Sequence, residues 1–326
     1  MAGADMEPVA VFFTLATGVV IKYILSAIVG SRKREYELVG EVASLTCYPI
    51  KSCGGFNVES GNCTNLGLQV ENGVIDRHWV VTDGSYNMLS SSQMPTLALV
   101  RTKCSHGQLI VDAPDMPTLT LPASPVVDRS KVVNVVSSSG KTQLEGLDCG
   151  DEPASWFSKY LGREGVRLLH SAPGLQKRDI TQEKKAWGSP AIAGDQAAYS
   201  DFCAYLLMSE TSQAAVNEQL QEPLSLQSFR PTIVVKGSRP YDEDEWQSVK
   251  IGDKAVLRTL YCTPRCIKVN IDFKTGQRIK ENKPLDSLRT IRCVPRFGKS
   301  PILGISSALD QGGRVRVGDP VYAMRA

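Results

Sequence analysis

From Leu38 onward the chain is a succession of short runs of β-forming residues separated by turn signals, and this pattern limits the fold more than any other feature. In the first half the runs are Glu41 to Tyr48, His78 to Thr82, Leu97 to Arg101, Leu109 to Asp112 and Lys131 to Val136. Thr232 to Lys236, Ser248 to Ile251 and Ala255 to Thr259 follow in the second half. Arg314 to Val317, the turn Gly318-Asp319-Pro320 and Val321 to Met324 read as a terminal hairpin. Helical patterns are few. Asp151 to Leu161 has Asp151 as cap, Pro153 in the first turn and Gly162 as stop; a second helix runs from a Ser209 cap to about Gln221. The polar stretch Gln176 to Gly194 reads as a loop between two halves. The expected fold is α+β, predominantly antiparallel β, with two linked barrel-like domains over residues 37–170 and 185–324. With 326 residues, 42% of them hydrophobic, the chain is long enough to bury more than one core.

Ahead of this body, Val9 to Val29 is a 21-residue, almost wholly apolar run. At about 1.5 Å per residue it spans roughly 30 Å, the thickness of a hydrocarbon core. Lys22 lies close enough to the end of the run to snorkel. Asp5 and Glu7 precede the run and Arg32, Lys33 and Arg34 follow it, so the positive-inside bias holds the C-terminal body on the cytosolic side. A cleaved signal peptide would want a basic leader, and a matrix transit peptide would be Arg-rich and amphipathic. An uncleaved transmembrane anchor over residues 9–29 is the expectation.

Composition excludes several function classes. A net charge of +3, from 37 basic and 34 acidic residues, with no basic stripe interleaved with aromatics, argues against nucleic acid as a partner. Nine scattered cysteines do not make a secreted disulfide framework. Three histidines, none at i, i+4 from another, give no histidine zinc site, and Cys262 with Cys266 lacks a second ligand pair.

Four local clusters carry chemistry. Tyr48-Pro49-Ile50-Lys51-Ser52-Cys53-Gly54-Gly55 combines an ammonium, a hydroxyl and glycines that let backbone N–H groups approach an anion. Asp76-Arg77-His78-Trp79 sets a guanidinium suited to phosphate beside a carboxylate, although taken alone it also reads as a surface ion pair. Tyr199-Ser200-Asp201 and Phe229-Arg230-Pro231 each stand ahead of an apolar run, with Arg230 pushed to extended geometry by the proline. Cys262-Thr263-Pro264-Arg265-Cys266 is followed by IKVNIDFKTG. A thiolate with basic neighbours suits a soft metal whose other ligands come from a charged organic cofactor. Each cluster alone also reads as an ordinary turn or a structural cysteine.

Taken in order, YPIKSC, DRHWVV, APDM, AYSD, FRP, RC followed by IDFKTG, GKSP and VGDPVY resemble the MOSC family, and within it the mitochondrial amidoxime-reducing component (mARC) group. The resemblance runs from Leu38 to Tyr322. It implies a MOSC N-terminal β-barrel domain and a MOSC domain with molybdenum-molybdopterin bound between them. It places Lys51, Ser52, Arg77, Asp201, Arg230, Thr232 and Arg265 at the cofactor and makes Cys266 the metal ligand and catalytic residue. The chain departs from the family pattern at Phe202, Cys203, Thr232 and Phe273, and its Cys262–Cys266 spacing is one residue longer. The implied activity is reduction of N-hydroxylated compounds such as amidoximes, with electrons from NADH through cytochrome b5 reductase and cytochrome b5. A cofactor sulfur carrier and a non-catalytic, membrane-tethered scaffold are the alternatives. The implied location is the outer mitochondrial membrane with the body facing the cytosol; peroxisomal and ER anchors have similar sequences. Protease added to intact mitochondria is therefore expected to degrade the body while matrix markers survive. Full protection of the body, with outer-membrane controls digested, would contradict this topology.

Overall fold

The computed structural model describes residues 35–70, 73–137, 143–182, 188, 190–281 and 283–325. The apolar run at residues 9–29 lies outside them, and no helix among the described residues is long and apolar enough to cross a membrane. Most of the regular structure is β. Seven strands close a barrel: β1 (Glu37–Cys47), β2 (Tyr205–Ser209), β3 (Ile233–Lys236), β4 (Trp246–Ile251), β5 (Ala255–Pro264), β6 (Ile302–Gln311) and β7 (Pro320–Arg325). Around the barrel the order is β3-β2-β6-β5-β4-β7-β1, and β1 pairs back onto β3. Only β2 and β3 run parallel; the other pairs are antiparallel.

The first strand of the body thus closes a barrel whose other six strands come from residues 205–325. Its buried residues Val39, Val42, Leu45 and Cys47 do not follow strict alternation. Register shifts at Leu38/Gly40 and Val42/Ser44 explain this, since each bulge inserts a residue and resets which face turns inward. Gly40 is needed at the first shift. A Cβ there would lie 2.0 Å from the Lys236 carbonyl oxygen on β3.

The middle of the chain forms a four-stranded sheet, ordered Trp79–Thr82, Arg167–His170, Gln143–Asp148, Val132–Val136, and a three-stranded sheet of Arg101–Ser105, Gln108–Asp112 and Leu119–Pro122. The helix Asp151–Leu161 packs beside them and stops at Gly162, which is left-handed (φ 59°). Gly150 occupies the cap position, so Asp151 is the first helical residue rather than the cap. One apolar core runs from Val39 through Trp79, Leu109 and Phe157 to Ala323 and joins these sheets to the barrel.

Several sequence expectations need correction. Leu97–Arg101 is not a strand: Pro95–Leu99 forms a 3-10 helix, with Pro95 supplying the preset φ that favours a helix start. The second helix is shorter than expected, Glu210–Asn217, and the Ser209 hydroxyl bonds Thr211 and Ser238 instead of capping it. The terminal hairpin is absent although its turn forms. Gly313–Arg316 pairs with Ser60–Thr64, whereas β7 pairs with β1 and β4. Alternation marked both segments as strands but carried no information about partners.

Leu45 is fully buried and stands opposite Ile233 on β3 and Val58 on the other side. Leu45→Ala is expected to cost about 2–5 kcal/mol by leaving a cavity at the barrel closure. Urea unfolding should show a lower midpoint with an unchanged slope; an unchanged midpoint would show that β1 is not integral to the core.

Candidate functional site

A cleft opens where the strand ends meet. Lys51, Ser52, Arg77, Asp201, Arg230, Arg265 and Cys266 all line it, from stretches of chain up to 215 residues apart. The geometry begins at Asp76, which is buried. Its carboxylate accepts from the Tyr48 backbone N–H (2.7 Å), from the Thr232 hydroxyl (3.2 Å) and from the Arg77 guanidinium. Arg77 returns its own N–H to the Tyr48 carbonyl (2.8 Å), and its Nη2 donates to the Arg230 carbonyl (2.8 Å). These bonds tie together the loop after β1, the entry to Trp79–Thr82 and the entry to β3. Thr232 is fully buried and serves this tie; it does not line the cleft.

Three of the lining residues adopt the left-handed backbone region: Ser52 (φ 71°), Arg77 (φ 56°) and Arg230 (φ 59°), the last correcting the extended geometry expected ahead of Pro231, since Arg230 caps the short helix Leu226–Phe229. Non-glycine residues there cost on the order of 1–3 kcal/mol each, a strain that persists only where the surroundings over-determine it. Arg77 and Arg230 sit 4.9 Å and 4.4 Å from the Tyr48 ring centre, so one aromatic ring contacts both cations. Burial, together with the neighbouring Arg77, pulls the Arg230 pKa down to about 10. One Arg230 nitrogen donates to the Cys53 carbonyl, but Nη2 is buried with no protein partner, as is the Ser200 hydroxyl in the same cleft. Such groups are costly to leave unmade, and of the two the Arg230 guanidinium is the one suited to an anion.

Lys51 is buried. Its Nζ donates to the Tyr199 carbonyl (2.6 Å) and to Asp201, while Lys268 donates to the other Asp201 oxygen (2.6 Å). Burial lowers the Lys51 pKa to about 8 despite the carboxylate beside it. Burial would raise Asp201, but Lys51 and Lys268 outweigh that and hold it well below the usual carboxylate range. The loop bearing Asp201 is pinned from behind by Arg178, which donates to the carbonyls of Ser200 (2.6 Å) and Asp201 (3.1 Å).

Arg265 and Cys266 follow the end of β5. Sequence alternation suggested a strand ending near Thr259. Bulges between Thr259 and Tyr261 and between Cys262 and Pro264 instead carry it to Pro264, so its end reaches the cleft. The buried Arg265 guanidinium spends its donors on the carbonyls of Leu303 (2.9 Å from Nε) and Phe229 (3.0 Å), so it holds the cleft wall. Gly304 makes room for it. At φ 70°, a Cβ on Gly304 would lie 2.6 Å from the Leu207 carbonyl and 3.4 Å from Arg265 Nη2. Cys266 is an exposed free thiol on the cleft, whereas Cys262 packs among Leu260, Tyr261 and Phe297 and burial raises its pKa to about 12. Among the described residues no three His, Cys, Asp or Glu side chains group as a metal site.

Asp76 and Tyr48 stood inside clusters visible in the sequence but were given no site role, and Lys268 was missed, although it lies two residues beyond Cys266. At two of the four departures from the family pattern, Phe202 lines the cleft and sets its ring edge-on to Tyr261 at 5.7 Å, and Cys203 lines it from a buried position.

A two-part β fold with a cationic cleft and a lone accessible thiol defines the class, and comparison with known proteins gives it a family. The MOSC N-terminal beta barrel domain matches residues 39–164 and the MOSC domain matches residues 194–322. The chain belongs to the MOSC family. It is similar to mitochondrial amidoxime-reducing component 1 of Mus musculus, 36% identical over 299 residues, covering 90% of this chain and 85% of that protein. Mitochondrial amidoxime reducing component 2 of Homo sapiens is likewise 36% identical, with 90% and 86% covered.

An anion held by Lys51 requires the ammonium form. Its affinity should be flat below pH 8, then fall by up to about tenfold per unit as the group loses its proton. Calorimetric titration of the cofactor-free protein with sulfate, whose charge is constant over the range, between about pH 7 and about pH 9.5 reads this directly. An affinity flat across that range would contradict the role of Lys51.

Proposed function

We propose that this chain is a molybdenum-cofactor-dependent reductase of N-hydroxylated compounds. The observation that carries the reading is the pairing, in one cationic cleft, of the unsatisfied Arg230 Nη2 with a lone exposed thiol. The residues fit molybdenum-molybdopterin. Lys51, Ser52, Arg77 and Arg230 would hold its phosphate and pterin, with Arg230 Nη2 and the Ser200 hydroxyl filling their open hydrogen bonds on it. Cys266 would ligate the metal. Asp201 would orient Lys51, and Thr232 and Arg265 would hold Arg77 and the cleft wall in place.

When bound, the cofactor supplies two-electron chemistry: an N–OH compound, two electrons and two protons give the N–H product and water. The protein contributes orientation, a soft ligand and a charged cradle. Phe202 and the apolar wall around Phe229 and Val269 would receive the organic part of the substrate. The names of the relatives support an amidoxime-type substrate and a mitochondrial location. By the same resemblance the electrons come singly from cytochrome b5, itself reduced by the NADH-dependent reductase.

Cys266→Ser is expected to abolish benzamidoxime reduction while preserving the fold, because an alkoxide is a harder ligand than a thiolate. Cys262→Ser, altering a thiol that does not line the cleft, should keep most activity. Equal losses in both variants would overturn the single-ligand assignment.

A further inference from the structure

The chain as a whole carries +3, yet its charge is unevenly distributed. Between Cys266 and Lys299 stand nine basic residues and only three acidic ones, a local charge of +6 that leaves the rest of the chain net acidic. Lys274, Arg278, Lys280, Lys283, Arg296 and Lys299 are exposed. Lys274, Lys280, Lys283 and Lys299 have no ion-pair partner among the described residues. A run of solvated lysines on an arbitrary surface would mean little. Here the fold attaches the run to the site.

Asn270, four residues beyond Cys266 and buried, is the anchor. Its carbonyl accepts the Ile279 N–H (2.8 Å), and its side-chain oxygen accepts the Leu285 N–H (2.8 Å) at the start of the helix Pro284–Arg292. Lys280 and Lys283 lie between those two bonds. Arg278 donates to the Ser92 carbonyl, next to Ser91 on the cleft wall. At the other end of the segment the Arg265 N–H donates to the Pro301 carbonyl (2.7 Å), which holds the Lys299 side against the residue preceding Cys266. Next to Cys266 in the chain, Ile267 is 49% exposed, one of few large apolar side chains left in solvent among the described residues. An apolar centre beside the thiol with a cationic rim is the anatomy of a transient, electrostatically steered interface.

We propose that this surface is the docking face for an acidic one-electron carrier protein. The need for such a carrier rests on the reductase reading, since two electrons must reach the Cys266 cleft for each turnover. A cationic rim raises the encounter rate of an anionic partner, and salt screens it over a Debye length of about 10 Å at 0.1 M. Docking there engages the segment that Asn270 and Arg265 tether to the Cys266 side of the cleft.

The test is binding of cytochrome b5, used as the acidic probe, to the full chain by surface plasmon resonance at about 20 mM and about 200 mM salt. The triple variant Lys274→Glu, Lys280→Glu, Lys283→Glu alters only exposed side chains outside the cleft. It should bind about tenfold more weakly at low salt and lose most of the salt dependence. The control Lys131→Glu, Lys159→Glu, Lys254→Glu makes the same net change elsewhere and should stay within about twofold. Equal weakening in both triples, or unchanged binding in the first, would overturn the docking face. Binding is read without turnover, so a protein that passes this test yet reduces no amidoxime would sink the reductase reading and leave the docking face standing.

Discussion

The buried carboxylate of Asp76 is the constraint on which the site depends. It holds the Tyr48 N–H, the Thr232 hydroxyl and the Arg77 guanidinium at once, and these belong to three distant parts of the chain. A buried charge is tolerable only when paired and hydrogen-bonded, and breaking such a pair costs about 3–5 kcal/mol. The bond set therefore fixes the angle at which the first strand leaves the barrel, and with it the position of Lys51 three residues later. Arg77 donates Nη1 to that carboxylate and Nη2 to the Arg230 carbonyl, which draws Arg230 to it. The cationic cleft follows from satisfying one anion beneath it.

The same logic explains the strained backbone. Two guanidinium groups and an ammonium repel one another, and a chain free to relax would separate them. Left-handed conformations at Ser52, Arg77 and Arg230, with Tyr48 packed under both arginines, hold them converged before any ligand arrives. Asp201 between Lys51 and Lys268 offsets part of the charge, so the cleft stays cationic without being wholly uncompensated.

Much of this was legible in the sequence, for identifiable reasons. Strands announced themselves where β-forming residues run between turn signals, as at His78–Thr82 and Lys131–Val136, which the structure forms as Trp79–Thr82 and Val132–Val136. Alternation failed where bulges reset the register: β5 runs five residues past its expected end, and those residues carry the chain to Arg265 and Cys266. Partners were illegible, because periodicity records which face is buried and not against what. Hence the terminal turn forms as expected, whereas the hairpin expected across it does not, its two strands pairing elsewhere. At the site, charged residue types drew the eye to Lys51, Arg77, Arg230 and Cys266. The roles of Asp76, Tyr48 and Gly304 come from tertiary contacts that no local motif encodes. Lys268 became visible only once Asp201 stood beside it.

The fold thus builds a cationic cradle on a buried carboxylate and brings a lone thiol to its edge on an extended, bulged strand. The account stands or falls on what that thiol touches. X-ray absorption at the molybdenum edge, on protein purified from a host able to make molybdopterin, counts the sulfur neighbours of the metal. The account predicts molybdenum bound to the unmodified chain and one fewer sulfur neighbour in Cys266→Ser, with the count unaltered in Cys262→Ser. An identical sulfur count in Cys266→Ser and the unmodified protein, or an unmodified protein that takes up no molybdenum, would contradict it.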